Sequence, residues 1–187
     1  MELIEITMNA EEQMQKTLDF THSQIDKIRT GRASASLIDG VMVDAYGSPT
    51  PISQTANVSA PDARSIVIQP WDRSLLEAIE KSIQAADLGF NPQNDGTIIR
   101  INVPPLTEER RLEFVKMAKK YAEDGKIAIR NIRRDNNEIL KKAEKNKELS
   151  EDFRKQGEEE IQSITNTFIG KIDDLASNKE KELLSED

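Results

Sequence analysis

The sequence predicts an α+β protein in which an elongated three-helix bundle carries a small inserted α+β unit. Three observations predict it. Apolar residues recur every three or four positions near the start of the chain and again over its last eighty or so residues. Between Gly40 and Val103 that texture gives way to clustered turn formers and short β-branched runs. The 187 residues are 32% charged and only 4% aromatic, which suits long solvated helices with a thin core better than an aromatic-rich sandwich or barrel.

The first helix is read from Leu3, Thr7, Ala10, Met14, Leu18, Thr21, Ile25 and Ile28, which fall on one face, and it is expected to stop at Thr30-Gly31. Tyr46-Gly-Ser-Pro-Thr-Pro51, Ala60-Pro-Asp62 and Asn91-Pro-Gln-Asn-Asp-Gly96 read as turns. Strands are expected at Val41–Tyr46, Arg64–Gln69 and Thr97–Val103. A helix with Leu75, Leu76, Ile79 and Ile83 on its apolar face interrupts them, with Asp72 as its N-cap and Gly89 as its C-terminal stop.

Val103-Pro-Pro-Leu106 closes the unit, because two successive prolines forbid a helix. Thr107 can cap the next helix, whose stripe is Leu112, Val115, Ala118, Ala122, Ile129, Ile132, Ile139 and Ala143. Gly125 lies inside it at a cost of about 1 kcal/mol relative to alanine. Ser150 followed by Glu151 and Asp152 marks a third helix, carrying Phe153, Ile161, Ile164, Phe168, Ile172, Leu175 and Leu183. None of the three can bury its stripe alone. Residues 1–30 and 105–187 are therefore expected to form the bundle, and 31–104 the insertion. Helices of roughly 35 residues would be about 50 Å long. Two crossing segments, Thr30-Gly31-Arg32 and Val103-Pro104-Pro105, suggest a hinge.

The net charge of −8 speaks, as a sum, against nucleic acid. Its distribution does not. From Arg110 to Lys147 thirteen Lys and Arg stand against six acids, +7, while the other residues set thirteen bases against twenty-eight acids, −15. At ~100° per residue, Lys119, Lys126, Arg130, Arg133, Arg134 and Lys141 form one stripe beside the apolar face. Arginine forks can grip phosphates in a bidentate way and stack on bases, so an RNA backbone or groove is a natural partner. Such a stripe can equally pair with acids on a neighbouring helix, and Glu158, Glu159, Glu160, Asp173 and Asp174 stand ready on the third. Charge alone leaves both readings open.

Catalytic chemistry finds little support. The chain has no cysteine, which excludes disulfides, Cys-ligated metals and a thiolate nucleophile. His22, the single histidine, has no marked nucleophile beside it. Neither a P-loop nor a Gly-x-Gly-x-x-Gly occurs, and Glu108-Glu109 and Glu158–Glu160 read as cap and surface charges. No cofactor or metal is expected. Trp71 reads as a core or surface residue of the small unit before it reads as a binding aromatic. No apolar run approaches a membrane span, and the acidic N-terminal stretch lacks a targeting pattern, so a cytoplasmic protein without a membrane partner is expected.

Three stretches carry a specific pattern: Lys27-Ile-Arg-Thr-Gly-Arg-Ala-Ser34, Val103-Pro-Pro-Leu-Thr-Glu-Glu-Arg-Arg111 and Ile129-Arg-Asn-Ile-Arg-Arg-Asp135. Tyr46-Gly-Ser-Pro-Thr-Pro51 and Asp87-Leu-Gly-Phe-Asn-Pro92 fit it as well. Together they resemble the bacterial ribosome recycling factor family over essentially the whole length, with Asn136-Asn137 a local departure from the Ala-Asn common there. The resemblance implies a three-helix bundle joined by a two-strand hinge to a β/α/β domain, L-shaped with a tRNA-like outline. It implies a monomeric, non-enzymatic translation factor that binds the post-termination ribosome and, with elongation factor G and GTP, separates the subunits. Carried over by motif, Arg133 and Arg130 would hold large-subunit rRNA, with Arg134 and Arg29 as neighbours. The hinge would comprise Thr30, Gly31 and Arg32 with Val103, Pro104 and Pro105. The competing reading is an adaptor coiled coil whose basic stripe pairs with acidic helices; an enzyme comes third.

Overall fold

The structure, a computed structural model, describes residues 2–185. Among them the elements run α1 (Leu3–Asp26), β1 (Met42–Ala45), β2 (Ser48–Pro51), β3 (Ala56–Asp62), β4 (Ser65–Pro70), α2 (Leu76–Ala85), β5 (Pro92–Asn94), β6 (Ile99–Asn102), α3 (Glu108–Lys145) and α4 (Glu151–Leu184). They divide into two compact units: the described residues up to Thr30 with those from Glu108 onward, and Gly31–Thr107.

In the helical unit α3 runs antiparallel to both other helices. Asn136 meets Gln13 near one end, while Lys126 meets Asp173 and Lys119 meets Glu180 along α4. The core combines Ile6, Met14, Ile25, Ile129, Leu140, Ile161, Phe168 and Ile172 with the small residues Ala10 and Ala122. Two helical glycines explain how closely the rods approach. A Cβ at Gly125 would lie 2.5 Å from Thr21 Oγ1, and one at Gly157 would lie 2.6 Å from Leu3 Cδ1. The helix-propensity cost of each glycine is thus offset by contact that alanine would block. Ser150 caps α4, its hydroxyl accepting from Phe153 N at 3.2 Å. Arg154, placed one turn in, ion-pairs with Glu144 of α3 and with Glu158.

Three details depart from the sequence reading. α1 ends at Asp26, short of Thr30. Ile6, absent from the expected stripe, is buried, whereas Leu112 and Phe153 are about half exposed. The pairing explains the last two. Leu3 of α1 lies level with Gly157 and Thr21 with Gly125, so Phe153 and Leu112 fall past the two ends of α1, where it gives them little cover. Finally, Asn136 is buried, donating to Gln13 Oε1 at 3.1 Å and to the Ile132 carbonyl at 2.8 Å. The local departure at Asn136-Asn137 is a polar link between α1 and α3.

The smaller unit holds a β1–β2 hairpin and a four-stranded antiparallel sheet ordered β3-β4-β6-β5. Its core is dense in β-branched residues, among them Ile38, Val43, Ile52, Ile66, Ile68, Ile79, Ile83, Ile99 and Ile101. The stretches expected as turns contain strands: β2 carries Pro49 and Pro51, β3 carries Pro61, and β5 begins at Pro92. All three lie at sheet edges, where a missing N–H breaks no ladder, and Pro61 falls within an irregularity between Ser59 and Asp62. Asp72 caps as expected, but the turn it caps is a short 3-10 segment, Arg73–Leu75, ahead of α2. α2 stops before Gly89, at Ala85, with Asp87 turning left-handed at φ 48°.

Candidate nucleic-acid interface

The basic stripe lies along α3, a helix long enough to carry cations over ten turns. Its members meet different surroundings. Lys126 is only 20% exposed at its side chain and contacts Asp173 of α4 at 2.9 Å and Glu123 at 3.3 Å. The Asp173 carboxylate holds its ammonium above the ordinary lysine range, against the opposing effect of burial. Lys119 pairs with Glu180 of α4 at 3.4 Å. Lys141 pairs within its own helix with Glu138, at 3.4 Å.

The arginines are held differently. Arg130 reaches Glu123 only at 3.8 Å. Arg133 donates to the neutral Gln162 Oε1 of α4 at 3.3 Å, and Arg134 to Asn131 Oδ1 at 3.3 Å. Among the described residues neither Arg133 nor Arg134 has a carboxylate within ion-pair distance. Their positive charge is oriented by amides and stays available to an outside anion. Arg29 follows the end of α1, half-buried and engaged in interactions of its own, and is not part of the α3 stripe.

At the connections, Thr30 is half-buried, Arg32, Pro104 and Pro105 are exposed, and Gly31 and Val103 are buried. Gly31 has φ +82°, and a Cβ there would stand 3.0 Å from Leu106 Cγ, so glycine is required twice over. The Gly31 carbonyl accepts from the Arg64 guanidinium at 2.7 Å, and Val103 N donates to the Arg64 carbonyl, also at 2.7 Å. One residue thus binds both ends of the smaller unit. The sequence marks Arg64 only as the start of a strand, and no motif around it signals more.

The other candidates resolve simply. His22, Glu108, Glu109 and Glu159 are exposed. Trp71 is on the surface, 68% exposed. Among the described residues no group of three or more His, Asp or Glu could hold a metal ion.

The model of the ribosome recycling factor family matches residues 21–184. The chain belongs to that family. The ribosome-recycling factor of Nitratidesulfovibrio vulgaris (strain DP4) is 56% identical over 98% of this chain and 99% of its own length. A solution structure of a ribosome recycling factor, 39% identical, superposes with a TM-score of 0.80 over 100% of this chain and 99% of that one. A second neighbour, 48% identical with a TM-score of 0.65 over 99% and 100% of the two chains, comes from models of the T. thermophilus ribosome recycling factor and E. coli elongation factor G bound to the E. coli post-termination complex. Ribosome recycling factors are translation factors, and the α+β fold expected from the sequence is the fold of the family. Among the described residues no helix is long and apolar enough to cross a membrane.

Proposed function

We propose that this chain recycles ribosomes in the cytoplasm after termination, binding the post-termination ribosome and acting with elongation factor G and GTP to separate the subunits. The observation that carries the reading is kinship over nearly the full length with recycling factors, one of them in a post-termination complex with elongation factor G. The α3 arginines supply the contact. Arg133 and Arg134, without a carboxylate partner among the described residues, grip large-subunit rRNA phosphates; Arg130 and Arg29 assist. The acidic remainder of the surface repels rRNA and so restricts the productive orientation. Thr30, Gly31 and Arg32 with Val103, Pro104 and Pro105 serve as the hinge through which the elongation factor's push reaches the rRNA-anchored helices. Stiff, packed helices suit that task because they do not deform continuously.

The test is a subunit-splitting assay on post-termination ribosomes with elongation factor G and GTP. Splitting should depend on this chain, and an equal rate without it would overturn the reading. The chain itself supplies positioning rather than chemistry, so alone it should hydrolyse GTP no faster than buffer. The adaptor reading retains one specific support: Lys119 and Lys126 do pair with acids of α4. It predicts self-association and no sedimentation with ribosomes.

A further inference from the structure

Nine acids are spread along α4, but none falls between Glu160 and Asp173. That gap, residues 161–172, spans about 18 Å of helix. It lies between two ion-pair crossings to α3. At one end Asp173 meets Lys126 at 2.9 Å, and at the other Arg154 meets Glu144. Arg133 reaches α4 inside the gap, at Gln162. One turn before Gln162 stands Glu158, and Arg154 holds its carboxylate at 3.0 Å.

Gln162 does more than stay neutral. Its Oε1 accepts from Arg133 Nη1 at 3.3 Å, while its Nε2 donates to Asn166 Oδ1 at 2.9 Å. Asn166 lies one turn further along α4, so the helix itself sets their spacing. A carboxamide carries an acceptor at one end and donors at the other. Were it reversed, its N–H groups would oppose those of the guanidinium. The bond to Asn166 fixes which end faces Arg133. One guanidinium N–H is then committed to a neutral oxygen, and the other donors keep their full charge for an outside anion. A side chain already held in place also loses less freedom when it grips a phosphate.

We propose that Gln162 is a positioning residue for rRNA binding: backed by Asn166, it orients the Arg133 guanidinium without neutralising it. Gln162 acts through Arg133 and does not itself carry the phosphate contact. The proposal rests on the rRNA-binding role proposed above for Arg133.

Co-sedimentation of the full chain with purified ribosomes tests it, as a double-mutant cycle. Gln162 and Asn166 are exposed, so substitutions there should leave the thermal midpoint unchanged. Gln162→Met, which keeps the length and loses the acceptor, should weaken binding about three- to tenfold with an unchanged salt slope. Gln162→Glu should weaken it further and lower that slope by about 1, because a carboxylate there neutralises Arg133. Asn166→Ala should act in the same direction as Gln162→Met, but less. With Arg133→Ala already in place, Gln162→Met should have no further effect. An equal effect of Gln162→Met with and without Arg133 would make Gln162 an independent contact or a merely structural residue, and would overturn the proposal. So would wild-type affinity in Gln162→Met while Arg133→Ala binds weakly; the rRNA role of Arg133 would then stand. Wild-type affinity in Arg133→Ala would overturn that role and the positioning role together.

Discussion

The stripe on α3 has two halves that look alike in sequence and differ in what they touch. Lys119 and Lys126 face α4 where it presents Glu180 and Asp173, and their charge is spent inside the molecule. Arg133 and Arg134 face α4 where it presents Gln162, or their own helix at Asn131. The acids of α4 are thus not spread evenly opposite the stripe. Internal pairing and charge left open to an outside anion, which the sequence leaves as alternatives, belong to different turns of one helix. Net charge measures neither half, because the informative quantity is which cations lack a carboxylate.

Substitutions can break this contrast. Arg133→Ala should lower ribosome affinity about 10- to 100-fold, as loss of a charge-assisted contact of ~1.5–3 kcal/mol does, with an unchanged thermal midpoint. Unchanged affinity in co-sedimentation at near-physiological salt would remove Arg133 from the interface. Gly125→Ala should do the reverse, costing about 1–3 kcal/mol in urea unfolding by forcing a methyl against Thr21, while folded protein binds normally. Lys126→Met should cost at most about 1 kcal/mol of stability and leave affinity within twofold; a large loss of affinity would show that the paired half also binds.

Two finer measurements sharpen it. The slope of log affinity against log salt should fall by about 1 when Arg133 is neutralised and stay the same in Lys126→Met. The alkaline limb of stability should carry a small contribution from Lys126. Its folded value is raised by Asp173, so its stabilisation is present below the unfolded value of about 10.4 and is lost as pH climbs through the folded one. Lys126→Met should therefore flatten that limb, and identical alkaline profiles would show that the ion pair contributes nothing.

What the sequence reveals follows physical signal strength. Long stripes are strong signals, and α3 and α4 begin next to the expected Thr107 and Ser150. Short edge strands are weak ones, because Pro49, Pro61 and Pro92 read as turns until it is known that their missing N–H points away from the ladder. Leu112 and Phe153 obey the period yet stay exposed, since periodicity names a face without saying where the partner helix ends. Arg133 and Arg134 are visible as candidates from their motif and spacing. That neither has a carboxylate within ion-pair distance among the described residues is not, because it depends on which residues stand beside each guanidinium. Arg64 and the Tyr46–Asp72 hydrogen bond are invisible for the same reason: each joins segments far apart in the chain.

Arg64 has a further consequence, for folding. By bonding both Gly31 and Val103 it holds the ends of the inserted unit beside each other. Until that unit folds, α1 can meet α3 only by closing a loop that runs from Gly31 to Thr107. Once it folds, the loop shrinks to a few residues, and closure becomes easier by on the order of 2–3 kcal/mol. The insertion thus acts as a staple that lowers the entropy cost of assembling the helices. Loosening it with Ile66→Ala should therefore lower the unfolding midpoint of the helical unit as well as its own.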